Sequence, residues 1–286
     1  MASVSSAGIV DAHHHLWDLG VRDQDWITGD ELAPIRRDFL AADLEPLAAA
    51  AGVVKTVVVQ TVLVAEETPE LLAISAASDL IAGVVGWLDL TAPDVAERIG
   101  ELREGVGGEA LVGIRHQVQL ESDPEWLVRP DVLRGLARLA DAGIVYDLIV
   151  QAHQLPACVR AAQAVPGLAF VLNHLGKPAV AEGTLEPWAT SVKALAALPN
   201  TACKLSGMVT EADWLTWTVA DLQPFADTVL DAFGPERVMF GSDWPVSTLA
   251  ADYGLVVDTA KQLTGHLSAA EREAVFSGTA TRVYGL

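Results

Sequence analysis

The chain has 286 residues, 51% of them hydrophobic and 20% charged, with a formal net charge of −20. So acidic a surface repels nucleic acid and anionic lipid, which excludes both as expected partners. No uncharged apolar run approaches the roughly 20 residues of a membrane span. Residues 1–6 lack a signal-peptide pattern, and the two cysteines, Cys158 and Cys203, form no motif. A soluble, cytoplasmic protein acting on a small molecule is expected.

In chain order, short β-branched apolar runs alternate with longer Ala/Leu-rich stretches. Strands are predicted over residues 9–12, 56–61, 81–88, 111–115, 144–150, 168–172, 201–205 and 237–240. The runs are continuous rather than alternating, as in strands buried on both faces. Helices are predicted over 43–51, 69–78, 94–104, 130–142, 154–164, 188–198, 220–233 and 252–263. Pro130 with Asp131 marks one helix start, and Gly143 marks its end. Eight strands alternating with eight helices predict an α/β fold, a (β/α)8 TIM barrel forming one domain over residues 1–286. The alternative, a doubly wound open sheet, lacks a Gly-rich phosphate loop after its first strand. Two connections are long: residues 16–40, with Trp17 and Trp26, and 207–219, with Trp214 and Trp217. On a barrel's site face such loops shape a pocket or simply anchor themselves.

Chemistry-bearing side chains collect at the predicted strand ends, where barrel enzymes keep their sites. Strand 1 runs into Asp11-Ala12-His13-His14-His15. Alternate strand residues share a face, so His13 and His15 form half a metal site while His14 packs behind the strand. Arg115 and His116 end strand 4, and His153 follows strand 5. His174 follows strand 6 in Asn173-His174-Leu175-Gly176-Lys177-Pro178, and Asp243 follows strand 8 in Gly241-Ser242-Asp243-Trp244-Pro245. Lys204, inside strand 7, is costly to bury unpaired; it is expected either to pair with Asp243 or to contact substrate. His266 is read as a solvated surface residue.

Taken together, these blocks resemble the amidohydrolase superfamily, and more narrowly its amidohydrolase-2 branch, which contains sugar lactonases similar to L-fuconolactonases and L-rhamnonolactonases. The opening D-x-H-x-H-[FL]-W pattern is met by residues 11–17, and the blocks at 113–116, 173–178, 204–207 and 240–245 follow in order. The resemblance implies one divalent ion, Zn²⁺ by preference, held by His13, His15, His153, His174 and Asp243. The same residues could instead form a metal-free proton-relay pocket. The absence of a lysine near His153 disfavours a two-metal site. The implied activity is hydrolysis of a sugar-acid lactone, with Asp243 as base and then acid. Arg115, His116 and Lys204 would hold substrate oxygens, and Trp17 and Trp244 would wall the pocket. The alternative within the same superfamily is a metal-dependent, non-oxidative decarboxylase of an aromatic or unsaturated acid. A barrel that only binds a ligand is the third possibility.

Overall fold

Eight parallel strands pair strictly in sequence order in the computed structural model, which describes residues 8–286. They are β1 (Ile9–His14), β2 (Val53–Val59), β3 (Ile81–Gly86), β4 (Leu111–His116), β5 (Val145–Leu148), β6 (Phe170–Leu172), β7 (Thr201–Leu205) and β8 (Val238–Phe240). The barrel closes just beyond β8. His15 N donates to the Trp244 carbonyl at 2.6 Å and Asp243 N donates to the His13 carbonyl at 2.8 Å. The seam therefore runs through two of the expected site residues. Each strand is followed by a helix: α1 (Ala41–Ala51), α2 (Glu67–Ala76), α3 (Val95–Glu104), α4 (Pro130–Ala142), α5 (Leu155–Ala164), α6 (Trp188–Ala196), α7 (Val219–Phe233) and α8 (Tyr253–Leu263). The expected (β/α)8 barrel is the observed one.

The strands are buried on both faces because the barrel has two cores. Inside, Val10, Val57, Val85, Val145, Val171 and Met239 fill the lower axis. Outside, larger side chains pack the strands against the helices. In α4, Val132, Leu136 and Leu139 face inward while Arg138 and Asp141 pair at 3.0 Å on the solvent side. Pro130 occupies the first turn of that helix, where its missing N–H has no helical partner to lose. Gly143 ends it at φ 66°, a left-handed conformation that favours glycine.

Two features depart from the sequence reading. Strand β5 ends at Leu148, so the run to 150 is only partly strand. The chain also continues past α8 into helical turns over Ala269–Glu273, Ala274–Gly278 and Thr279–Tyr284. These turns close the barrel floor, where Ala280 and Tyr284 join the inner core. No helix among the described residues is long and apolar enough to cross a membrane.

Candidate active site and metal centre

The site is built where four strands end. The β1–β2 register slips between Asp11 and His14. The resulting bulge turns His13 toward the axis although its neighbour Ala12 already belongs to the inner core. His15 reaches the same space, its Nδ1 donating to the Val59 carbonyl at 2.7 Å. His14 turns to the outer face, with Nε2 on Thr56 Oγ1 at 3.0 Å, as expected. After β6 the backbone makes a left-handed turn: His174, Leu175, Gly176 and Lys177 have φ of 51°, 55°, 75° and 51°. For the three non-glycine residues this costs roughly 1–2 kcal/mol each, so surrounding structure must hold it. The turn aims His174 inward, with Nδ1 on Ser206 Oγ at 2.9 Å. Gly207 and Gly241 make room: a Cβ would fall 2.4 Å from His174 Nδ1 at the first and 2.7 Å from His13 Cβ at the second.

Asp243, at φ 57°, points its carboxylate into this ring of imidazoles. Its Oδ1 lies 3.5 Å from His15 Nε2, 3.7 Å from His13 Nε2 and 3.7 Å from His174 Nε2. Burial pushes the carboxyl up, but His174, His15 and Lys177 outweigh it and hold Asp243 below the usual carboxylate range. Burial likewise keeps the histidines neutral: His174 falls to about 3, His15 is lowered, and His13 drops well below its ordinary value with Lys204 adding to the effect. An ionised carboxylate among neutral imidazoles is the protonation state that metal ligands need.

Donor chemistry fits one divalent ion. His13, His174 and Asp243 bring ligand atoms within 4.8 Å of one another, and His15 Nε2 lies 3.2 Å from His13 Nε2. His15 Nδ1 donates to a carbonyl, which leaves its Nε2 lone pair free, as in zinc sites, and Ser206 Oγ can accept from His174 Nδ1 in the same way. His13 Nδ1 lies 3.2 Å from Lys204 Nζ, so the hydrogen between them decides which His13 nitrogen keeps a lone pair for a metal. Burial lowers Lys204, while its partner Asp147 raises it.

The structure does not bring His153 to this group. It sits five residues past the end of β5, exposed on the Ala152–Gln154 turn that leads into α5. Lys204 takes neither of its expected partners. Wholly buried, it pairs with Asp147 Oδ2 at 2.5 Å and His13 Nδ1 at 3.2 Å, below the cavity. Asp147, which sequence reasoning missed, also accepts from Tyr284 Oη at 2.7 Å. Arg115 does lie at the cavity floor, donating from Nη2 to the Gln60 carbonyl at 2.5 Å and from Nη1 to Asn173 Oδ1 at 3.3 Å. His116 stacks on Trp126 at 4.1 Å and pairs with Glu121 at 2.8 Å, outside the cavity wall. Trp17 and Trp244 are buried and pack against Phe39 instead of lining the pocket. Trp26 and Trp214, from the two long loops, line it in their place, around a cavity of about 750 Å³ that reaches His15, His174 and Asp243. His266 is exposed, as expected.

The buried neutral histidines set an acid limit on stability. Unfolded, each titrates near 6.5; folded, His14 and His174 do so near 3. The stability they contribute is therefore present above pH 6.5 and lost as pH falls below it, because the unfolded chain binds protons that the native one refuses. Urea midpoints should drop steeply from pH 6.5 to 4.5. His14→Gln should flatten that slope by up to about 1.4 kcal/mol per pH unit, the effect of one proton; an unchanged slope would show that His14 titrates normally.

Comparison with known proteins agrees with this fold. The amidohydrolase family model matches residues 10–286. The chain belongs to that family. This amidohydrolase is 42% identical to an L-fucono-1,5-lactonase of Burkholderia multivorans over 97% of this chain and 96% of that protein. It is 37% identical to an L-fucono-1,5-lactonase of Burkholderia ambifaria, over 96% of this chain and 94% of that one. A solved amidohydrolase from Burkholderia multivorans with bound zinc superposes with a TM-score of 0.93 at 41% identity, covering 98% of this chain and 100% of that one.

Proposed function

We propose that this amidohydrolase opens the 1,5-lactone of a six-carbon sugar acid to the free hydroxy acid. The observation that carries the reading is the Asp243 carboxylate, held ionised among His13, His15 and His174 at the base of a cavity of about 750 Å³. The 42% identity to an L-fucono-1,5-lactonase, over nearly all of both chains, supports the substrate class. The cavity suits a deoxy-sugar ring: Trp26, Trp214, Leu63 and Val246 offer apolar faces, and Gln117 and Gln119 offer amides for hydroxyls.

A divalent ion held by His13, His15, His174 and Asp243, zinc by preference, would supply Lewis-acid polarisation of the lactone carbonyl. Asp243 Oδ1 accepts a proton from the attacking water. The water oxygen bonds to the carbonyl carbon, the ring C–O bond breaks, and Asp243 returns the proton to the departing ring oxygen. His15 and His174 stay neutral throughout, with Nδ1 fixed on Val59 and Ser206. Arg115 adds a positive charge at the cavity floor. Gln117 is preset by its donation to the Thr61 carbonyl at 2.8 Å, and Gln119 by its donation to Gln117 Oε1 at 3.0 Å.

Two experiments test this. In weakly buffered solution with an indicator dye, L-fucono-1,5-lactone and related 1,4- and 1,5-lactones should acidify the medium, and aryl carboxylic acids should release no CO₂. The reverse pattern would favour decarboxylation. Elemental analysis after gentle purification should find close to one equivalent of zinc or a similar ion, in line with the three-histidine and carboxylate donor set. Full activity after exhaustive chelation, with no bound metal, would remove the ion from the mechanism and leave the lactonase reading standing.

A further inference from the structure

Lys177 lies at the far end of the left-handed turn that begins with His174, and its backbone N–H closes the turn on the His174 carbonyl at 2.8 Å. The turn thus carries two functional-type side chains into one cavity, since both residues line it. Among the described residues the Lys177 ammonium has one protein partner, Glu211 Oε1 at 3.3 Å, and both side chains stay partly open to the cavity. Glu211 is itself anchored, because its carbonyl accepts Ala181 N at 3.0 Å and ties the loop after β7 to the loop after β6.

The other cations of the cavity wall, Arg115 and Arg22, are held more tightly, although the Nε of each has no partner among the described residues. Arg115 spends both terminal nitrogens on Gln60 and Asn173. Arg22 donates to Glu70 at 2.7 Å, a shorter contact than that of Lys177 with Glu211. Lactone opening makes negative charge at the carbonyl oxygen and leaves a carboxylate beside the anionic Asp243. A cation free to change partners can meet both charges, and Lys177 lines the same cavity as His174 and Asp243.

We propose that Lys177 is the cation that receives the oxyanion of the attacked lactone and then the carboxylate of the opened product, exchanging its contact with Glu211 for the ligand. The role rests on the lactonase reading. Water oxygen bonds to the carbonyl carbon, the carbonyl π pair moves onto the oxygen that Lys177 holds, and Asp243 takes the water's proton. As that pair returns, the ring C–O bond breaks and Asp243 gives its proton to the ring oxygen. The carboxylic acid so formed loses its own proton to solvent, and its carboxylate remains on the ammonium until release.

The test uses the full-length protein, with L-fucono-1,5-lactone as substrate and L-fuconate as ligand. Lys177→Gln should lower kcat by about 10²–10³-fold, the effect of removing one oxyanion donor, with a smaller change in KM. L-Fuconate should bind the variant at least about tenfold more weakly, a loss of about 1.4 kcal/mol. Lys177→Arg should recover most of the L-fuconate affinity and part of kcat. Thermal midpoint and metal content should stay at wild-type values. A second measurement needs no variant: by calorimetry, wild-type protein should prefer L-fuconate over the neutral alditol L-fucitol by at least about tenfold, as a charge-assisted contact requires. Equal binding of the acid and the alditol overturns the proposal, as does Lys177→Gln with kcat within threefold of wild type. Wild-type protein that opens no lactone but binds L-fuconate through Lys177 would sink the lactonase reading and keep the anion site.

Discussion

Asp243→Asn should lower turnover by about 10²–10⁴-fold or more while leaving the fold and thermal midpoint close to wild type, the usual range for an acid–base group being lost. Asparagine keeps the shape and the Oδ1 acceptor but cannot take a proton from water and return it. The closure of the barrel should survive, because it runs through the backbone: Asp243 N donates to the His13 carbonyl at 2.8 Å, and Ser247 N to the Asp243 carbonyl at 2.9 Å. The imidazoles should also respond. Without the carboxylate, His174 and His15 lose the opposite charge that partly offsets their desolvation, so both should become still harder to protonate. The measurement is kcat on the lactone beside a urea titration of the same preparation. Near-normal kcat would take Asp243 out of the proton transfer; collapse of stability would mean that its charge, not its chemistry, holds the seam together.

How far the site could be read from sequence depended on whether a residue's direction follows from strand periodicity. His13, His15, His174 and Asp243 converge because each lies at a strand exit, and a barrel gathers such exits by construction. His153 failed because the apolar run 144–150 outlasts the ladder, which stops at Leu148. Beyond the ladder the chain turns, and a turn aims side chains by its dihedral angles rather than by alternation. The tryptophans failed for the same reason. Trp17 and Trp244 adjoin the His13–His15 and Asp243 blocks in sequence, yet Phe39 packs against both, and the pocket is walled by Trp26 and Trp214 from loops without periodicity. The floor formed by 269–284 was missed because the barrel count was already complete at α8. Asp147 was missed although its signal was in the sequence. An acid in the middle of a buried apolar strand raises the same objection as Lys204 on β7, and two such objections inside one barrel answer each other.

That pairing leads to the largest expected loss of stability. Lys204 and Asp147 are both wholly buried, 2.5 Å apart at the barrel axis. Tyr284 on the floor and His13 at the site complete the chain of contacts, at 2.7 and 3.2 Å. Lys204→Met fills much of the same volume but leaves the Asp147 carboxylate with only neutral donors, the Tyr284 hydroxyl and the Asn173 amide. Breaking a buried pair from one side typically costs about 3–5 kcal/mol, because an uncompensated charge stays in low dielectric. At roughly 2 °C per kcal/mol for a chain of this size, the thermal midpoint should fall by about 6–10 °C. Lys204→Met combined with Asp147→Leu should recover part of that loss, since no charge is then stranded, although Tyr284 Oη would lose its acceptor. Activity should not recover with stability. His13 loses its Nδ1 partner in both variants, and with it the contact that fixes its ring and tautomer. Calorimetric unfolding of the two singles and the double, with kcat measured on each, separates the roles. If the double variant regains both stability and turnover, the pair serves only to fill the barrel; if stability returns without turnover, Lys204 also orients His13.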